Sequence, residues 1–143
     1  MKQQVIIALK DDQGKILLQH RDNKALRYPD FWAFFGGGIE NGETPEMALK
    51  REAKEELEID NLQGYRLFGK YILDDKEEFF EEYVFVLPFS VLGISLKELN
   101  KRLKDGRGEG KKAGLFYCYD VKNLKTPPYE KTIFDDLCKL AKF

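Results

Sequence analysis

The sequence predicts an α/β sandwich in which helices pack on a mixed β-sheet. Short apolar runs come in pairs joined by turn residues, which is typical of β-hairpins. Two longer stretches repeat their apolar residues at helical spacing, and a shorter helix is predicted between them. The 143 residues, 43% of them hydrophobic, suffice for one core, so we expect a single domain over residues 1–143.

The first pair of strands is predicted near the amino terminus. Val5–Leu9 and Lys15–Arg21 are apolar runs, and residues 11–14 between them (DDQG) are typical of a turn. A polar stretch, Asp22–Asp30, then indicates a loop. Four aromatic residues follow within positions 31–35 and lead into a glycine turn.

The first long helix is predicted to begin at Thr44, a good N-cap, with Pro45 at the first helical position. It should extend to about Leu57. Leu49 and Ala53 precede Leu57 at intervals of four residues, so these three side chains form a stripe that can anchor the helix on a sheet.

Three glutamates share one face of this helix. Glu52, Glu55 and Glu56 are related by steps of three and four residues, which places their carboxylates close together. Carboxylates at this spacing repel one another unless a cation lies between them, and Mg²⁺ prefers such oxygen ligands. The alternative interpretation is an ordinary solvated helix face.

The second half of the chain repeats the same pattern. A second hairpin is predicted from the strands Gly64–Leu73 and Phe79–Leu87, and the short helix is predicted at Ser95–Lys104. Leu115–Tyr119 predicts a last strand, and Tyr129–Phe143 predicts the second long helix, which follows two prolines.

One charged side chain of the second hairpin is expected among apolar neighbours. Glu81 and Glu82 are adjacent, so they point to opposite faces of their strand, and both faces are otherwise apolar or aromatic. A carboxylate in that position needs a partner. A metal site and an exposed strand end both remain open as explanations.

Composition excludes several classes of function. The 24 basic and 25 acidic residues give a formal net charge of −1, so no global field would attract nucleic acid polymers or anionic membranes. No stretch approaches 18 apolar residues, which predicts no membrane span and no secretion signal. Cys118 and Cys138 are expected to be thiols in a reducing cytoplasm, with a disulfide as the minor alternative.

A longer motif connects the glycine turn with the acidic helix. The pattern G-x5-E-x7-R-E-U-x-E-E-x-G-U, in which U is a bulky aliphatic residue, resembles this chain closely and identifies it as similar to the Nudix hydrolase family. Ala53 is a small residue at the first U position, and Glu58 replaces the second glycine. The matching residues are Gly37, Glu43, Arg51, Glu52, Glu55, Glu56 and Ile59.

The resemblance implies a Nudix-type α/β/α sandwich and a metal-dependent active site. Mg²⁺ or Mn²⁺ would be bound by the carboxylates of Glu52, Glu55 and Glu56 and by the backbone carbonyl of Gly37. Arg51 would orient these carboxylates as part of the catalytic machinery, and Glu43 would tie the loop to the helix.

Further site residues are suggested by position. Arg21 lies at a strand end where the resemblance implies an arginine that contacts substrate phosphate, and Lys111, after a glycine-rich loop, is expected to contact phosphate as well. Glu109 matches an acid that many relatives place before the last core strand, although an ordinary turn also explains it. Trp32 and Phe34 share one face and either stack on a nucleobase or belong to the core.

The resemblance implies a pyrophosphohydrolase that cleaves a nucleoside diphosphate linked to another group, with a nucleoside triphosphate, an oxidised nucleotide or a nucleotide sugar as substrate. The alternative is a Nudix domain that binds a nucleotide as a sensor without turnover. The expected partner is therefore a small nucleotide, with no nucleic acid polymer and no membrane. The sequence leaves a homodimer open.

Glu58 occupies the motif position that normally holds the second glycine, and a glycine there can adopt positive φ at little cost. We expect Glu58 to keep a helical or extended backbone, because a left-handed conformation costs a glutamate about 1 kcal/mol. Its carboxylate should point away from the three clustered acids.

Overall fold

A computed structural model of the protein describes residues 1–22, 24, 28–76, 78–104 and 111–140. Within these ranges, short 3₁₀ turns at Phe89–Leu92 and Pro128–Glu130 accompany four helices. The strands are β1 (Lys2–Lys10), β2 (Ile16–His20), β3 (Trp32–Ala33), β4 (Phe35–Gly38), β5 (Arg66–Asp75), β6 (Glu78–Pro88) and β7 (Lys112–Phe116). The helices are α1 (Pro45–Leu57), α2 (Leu96–Arg102), α3 (Cys118–Val121) and α4 (Lys131–Cys138).

Across the described residues, the seven strands form one sheet, which is mixed as predicted, although the short strands β3 and β4 were not among the predicted ones. Its main path has the order β3-β2-β1-β6-β5, while β4 also pairs with β1 and β7 with β2. The central pair, β1 and β6, is parallel and begins with Lys2 opposite Phe80. The other pairs are antiparallel, and they include both predicted hairpins, β1–β2 and β5–β6.

The sheet has a hydrophobic core on each face, because successive side chains of β1 point in opposite directions. Ile7 and Leu9 pack in the cluster that contains Leu49 of α1. Ile6 belongs to the second cluster, together with Phe134 of α4. The α/β sandwich is therefore confirmed, with α1 on one face of the sheet and α4 on the other.

Helix α1 begins and ends where the sequence predicts. The Thr44 hydroxyl accepts a hydrogen bond from the Met47 amide at 3.2 Å, and Pro45 occupies the first turn. Leu49, Ala53 and Leu57 are fully or almost fully buried. The predicted stripe thus holds this helix against the sheet.

The expectation for the backbone of Glu58 is wrong. Glu58 caps α1 in the left-handed conformation, with φ 55° and ψ 34°. Its amide donates to the Lys54 carbonyl at 3.1 Å, the Ile59 amide donates to the Ala53 carbonyl at 3.2 Å, and Ile59 packs on the core. The bond from Glu58 to the carbonyl four residues earlier is that of an αL cap, and together with the Ile59 bond and contact it offsets the steric cost that a β-carbon carries there.

The carboxyl-terminal segment corrects two further expectations. The last strand ends at Phe116, and residues 118 and 119 lie in α3 instead. Helix α4 ends at Cys138, well before residue 143, and residues 141–143 lie outside the described part of the chain.

Cys118 and Cys138 form a disulfide, with their Cα atoms 5.8 Å apart, whereas thiols were expected. Helices α3 and α4 pack in the same core cluster, which brings together two cysteines that are 20 positions apart. No helix among the described residues is long and apolar enough to cross a membrane.

Candidate active site

Arg51 lies at the centre of the ion pairs on α1. Its Nε and Nη2 atoms donate to the two carboxylate oxygens of Glu43 at 2.8 and 2.9 Å. Its Nη2 also donates to the Gly38 carbonyl at 2.8 Å. Its Nη1 donates to Glu52 at 2.8 Å and reaches Glu55 at 3.4 Å. One guanidinium therefore connects the glycine turn, the loop and the acidic face of the helix.

Glu43 closes the loop that precedes α1. Besides the two bonds from Arg51, it accepts a hydrogen bond from the Glu40 amide at 2.8 Å. The hydrogen bonds from Arg51, followed by that from Glu40, lower the pKa of the Glu43 carboxyl to about 2. Glu43 is therefore a carboxylate at any pH near neutrality, and it fixes the Arg51 side chain.

Glu52 is held unusually close to the glycine turn. Its side chain is buried, and a β-carbon added to Gly37 would overlap its carboxylate group. Only glycine at position 37 leaves room for this approach. Burial raises the pKa of Glu52, while its bond with Arg51 opposes that rise. The predicted ligands Gly37 and Glu52 therefore lie side by side.

Glu55 and Glu56 are more accessible than Glu52. The side chain of Glu55 is 58% exposed and that of Glu56 is 20% exposed. Lys111 places its Nζ atom 3.7 Å from a carboxylate oxygen of Glu56. The predicted phosphate-binding lysine therefore lies at the edge of the acidic face.

The residues present fit a divalent cation chemically, although they are not a preformed cage. Within the described ranges, no three acidic, histidine or cysteine side chains already converge as metal ligands. The three carboxylates instead contact the cations of Arg51 and Lys111. A buried carboxylate beside a glycine backbone, with two further acids on the same helix face, is the type of oxygen donor set that Mg²⁺ or Mn²⁺ accepts.

Two of the predicted substrate-binding residues, Trp32 and Phe34, pack against other aromatic rings. Phe34 is buried and stacks on Phe134 with ring centroids 4.5 Å apart, so it is mainly a core residue. Trp32 packs edge-on against His20 and Phe116. Glu109 falls outside the described residues.

Arg21 lies beside a small polar cavity that the sequence did not predict. The cavity has a volume of about 170 Å³ and is bordered by Arg21, Phe34 and Gly37. Two buried glutamates, Glu82 and Glu130, also line it. The expectation that one glutamate of β6 is buried is thus met by Glu82. Nothing in the local pattern around Glu130, between prolines and a helix, indicated burial.

Comparisons with known proteins agree with this architecture. Dihydroneopterin triphosphate diphosphatase of Escherichia coli K12 is 43% identical over 56 residues, covering 39% of this chain and 34% of that protein. Nucleoside triphosphatase NudI of E. coli O139:H28 is 39% identical over 59 residues, covering 40% of this chain and 41% of that protein. The matched segments thus span less than half of these relatives.

A solved structure extends the similarity to almost the whole chain. The MutT protein from Methanosarcina mazei Go1 superimposes with a TM-score of 0.71 at 16% identity, covering 95% of this chain and 91% of that chain. At this identity the likeness shows the fold. The family model for the NUDIX domain matches residues 2–128, and the chain therefore belongs to the Nudix family.

Proposed function

We propose that the protein is a metal-dependent pyrophosphohydrolase that cleaves the diphosphate linkage of a nucleoside diphosphate derivative. The observation that carries this proposal is the acidic face of α1. Three carboxylates lie there. That of Glu52 sits so close to Gly37 that a β-carbon at position 37 would overlap it, and Arg51 holds Glu52 and Glu55. A structural helix face would not require this close approach.

The relatives narrow the substrate class that we propose. Their names describe enzymes acting on triphosphates, one with a dihydroneopterin group and one with a nucleoside. We therefore favour a triphosphate of a nucleoside or a similar heterocycle over an oxidised nucleotide or a nucleotide sugar. A small nucleotide, rather than a nucleic acid polymer, is the expected partner.

Residues Gly37, Glu52, Glu55 and Glu56 would hold Mg²⁺ or Mn²⁺. When bound, such an ion offsets charge on the diphosphate oxygens and makes a water molecule more acidic. Glu52 or Glu56 would accept the proton of the water that attacks phosphorus. Arg51 keeps Glu52 in place for this role, and Lys111, next to Glu56, offers a positive charge to a phosphate.

A phosphate-release screen tests the proposal. The protein is incubated with Mg²⁺ and a panel of nucleoside triphosphates, oxidised nucleotides and nucleotide sugars, with a coupled phosphatase that reports the products. We expect turnover of at least one triphosphate, loss of turnover in EDTA and recovery when Mg²⁺ is restored. Turnover that survives exhaustive chelation would contradict the metal-dependent reaction, and binding without any turnover would favour the sensor alternative.

A further inference from the structure

The small cavity beside the glycine turn contains polar groups that the proposed reaction does not use. It lies between the Pro128–Glu130 turn and the strands β1, β2 and β6, and it includes Gly36 and Gly37 in its wall. Its volume of about 170 Å³ is below the roughly 300–1,000 Å³ typical of pockets that enclose a whole drug-sized ligand. The cavity suits a single ring system whose substituents extend outside.

Gln19 presents a hydrogen-bond acceptor to this cavity. Its side chain is buried, and its Nε2 atom donates to the Phe34 carbonyl at 3.1 Å. That bond fixes the orientation of the amide, and the Gln19 Oε1 atom has no hydrogen-bond partner among the described residues. A buried amide oxygen in this state is stabilised by a ligand that brings an N–H group.

Glu82 and Glu130 add a pair of carboxyl groups. They are 1% and 5% exposed, and within the described chain the Glu130 Oε1 atom has no hydrogen-bond partner. Burial, and then the charge of Glu82, raise the pKa of Glu130 well above the usual range. The hydrogen bond from Phe34 and the charge of Arg21 act in the opposite direction.

This pair offers a donor as well as acceptors. Because two neighbouring buried carboxyls do not readily both ionise, and the pKa of Glu130 is raised, Glu130 can keep a proton and donate an O–H group. Glu82 and the Gln19 Oε1 atom supply acceptors. A purely structural polar cluster would satisfy its own atoms, whereas Gln19 Oε1 and Glu130 Oε1 have no hydrogen-bond partner among the described residues, and both side chains line the cavity.

We propose that this cavity binds the edge of a heterocycle in which a ring N–H lies between a carbonyl and an exocyclic amino group. Guanine and 2-amino-4-oxopteridines share this edge. The ring N–H and amino groups would donate to Glu82 and Gln19, while the carbonyl would accept from Glu130. Adenine lacks the carbonyl and the ring N–H, and hypoxanthine lacks the amino group.

The inference rests on the proposed function for its connection to catalysis. Gly36 and Gly37 border the cavity and belong to β4, which leads to the acidic helix. A ring in the cavity would therefore have its attached phosphates near Glu52 and Glu56. The recognition itself is independent of turnover, so it is tested by binding.

The first test compares the α,β-imido analogues of GTP, ITP and ATP, in which the linkage that releases diphosphate is blocked, by isothermal titration calorimetry with Mg²⁺. ITP differs from GTP only by lacking the exocyclic amino group. We expect the GTP analogue to bind at least about tenfold more tightly than either of the others, since a good bidentate contact discriminates by this much or more. Equal affinities for the three analogues would overturn the inference.

Competition then distinguishes the two sources of the shared edge. Dihydroneopterin triphosphate and GTP are each titrated, in EDTA to suppress turnover, against the GTP analogue bound in the same buffer. Displacement at a lower concentration of dihydroneopterin triphosphate than of GTP identifies a pteridine as the preferred ring, and displacement at a higher concentration identifies guanine; both results support the shared edge. Failure of both competitors to displace the analogue would overturn it.

Variants assign the roles of the two carboxyls. Glu130→Gln keeps a donor and an acceptor, so we expect it to retain most of the preference for the GTP analogue, whereas Glu130→Leu should lose it. Glu82→Gln replaces acceptor oxygens with a donor and should weaken binding of the GTP analogue at least about tenfold. Glu81→Gln, on the opposite face of the same strand, is the matched control and should bind normally.

The outcomes separate this inference from the proposed function. If the protein hydrolyses GTP and ATP and binds their analogues with equal affinity, the proposed hydrolase function stands and base recognition by the cavity is excluded. Selective binding of the GTP analogue without turnover would support base recognition and exclude the hydrolase. If Glu82→Gln fails to give the circular dichroism spectrum of the parent protein, the analogue series with the unaltered protein decides alone.

Discussion

Arg51 and Glu43 form a two-point ion pair in which Nε and Nη2 of the guanidinium meet the two oxygens of one carboxylate at 2.8 and 2.9 Å. We predict that Arg51→Lys lowers turnover by about tenfold or more, because an ammonium group cannot hold Glu43 and Glu52 at once. Steady-state kinetics at saturating metal measure this loss.

Arg102→Lys is the matched control, since Arg102 lies on α2 and pairs with Glu58 and Glu98 instead. It should leave turnover unchanged. If both variants turn over at the same rate as the parent, the guanidinium of Arg51 has no part in holding the acids.

The ion pair between Arg51 and Glu43 predicts how the stability of the protein depends on pH. The pKa of Glu43 is about 2 in the folded protein, below its ordinary value of about 4.3 in an unfolded chain. The contribution of the ionised Glu43 carboxylate to the free energy of unfolding is therefore fully present above the unfolded pKa and is lost as the pH falls toward 2. Urea unfolding at pH 6, 5, 4 and 3 should show the difference between the parent and Glu43→Gln shrinking below about pH 4.3. A difference that grows with acidity would contradict the assigned pair.

Glu55→Gln and Glu56→Gln should each lower turnover by at least about a hundredfold, since loss of a ligand or base removes a few kcal/mol of transition-state stabilisation. Both variants should remain folded, because removing one acid relieves repulsion along α1. Stopped assays at saturating Mg²⁺ measure the rates, and Glu98→Gln on α2 is the control. Near-normal rates in both Glu55→Gln and Glu56→Gln would show that the active site does not lie on this helix face.

Glu58→Gly should change the free energy of unfolding by less than about 1 kcal/mol, because relief of the left-handed strain is offset by greater freedom in the unfolded chain. The ion pair with Arg102 spans 4.0 Å at the surface and contributes little. Glu58→Ala retains the β-carbon and should therefore be less stable than Glu58→Gly. Urea titrations of the three proteins measure the order, and the reverse order would contradict the left-handed cap.

Local patterns predicted the helix that carries the acids. The Thr44 cap, Pro45 and the spacing of the apolar stripe all act within one or two turns, so the sequence alone located α1 correctly. The expectation that Glu58 avoids positive φ was wrong because it considered only the steric cost of that conformation. Two hydrogen bonds and the Ile59 contact compensate this cost. Local propensity cannot show such compensation.

The remaining differences depend on contacts between distant parts of the chain. The Cys118–Cys138 disulfide requires α3 and α4 to pack together, which no spacing rule reveals. The cavity is lined by both Gln19 and Glu130, residues from opposite ends of the chain. Neither residue belongs to the motif that predicted the acidic face.

The parallel pairing of β1 with β6 also constrains the order in which the protein can fold. The side chains of Gln3 and Glu81 meet across this pair although they are 78 positions apart. Contacts of such long range require a large loop to close first, which slows folding. Helix α1 packs on β1 and β4, but the core cluster beneath it also contains Phe85 and Leu87 of β6, so a nascent chain ending before β6 would lack part of the core that supports its acidic helix. We therefore expect the site to become competent only late in synthesis, after the second hairpin has left the ribosome.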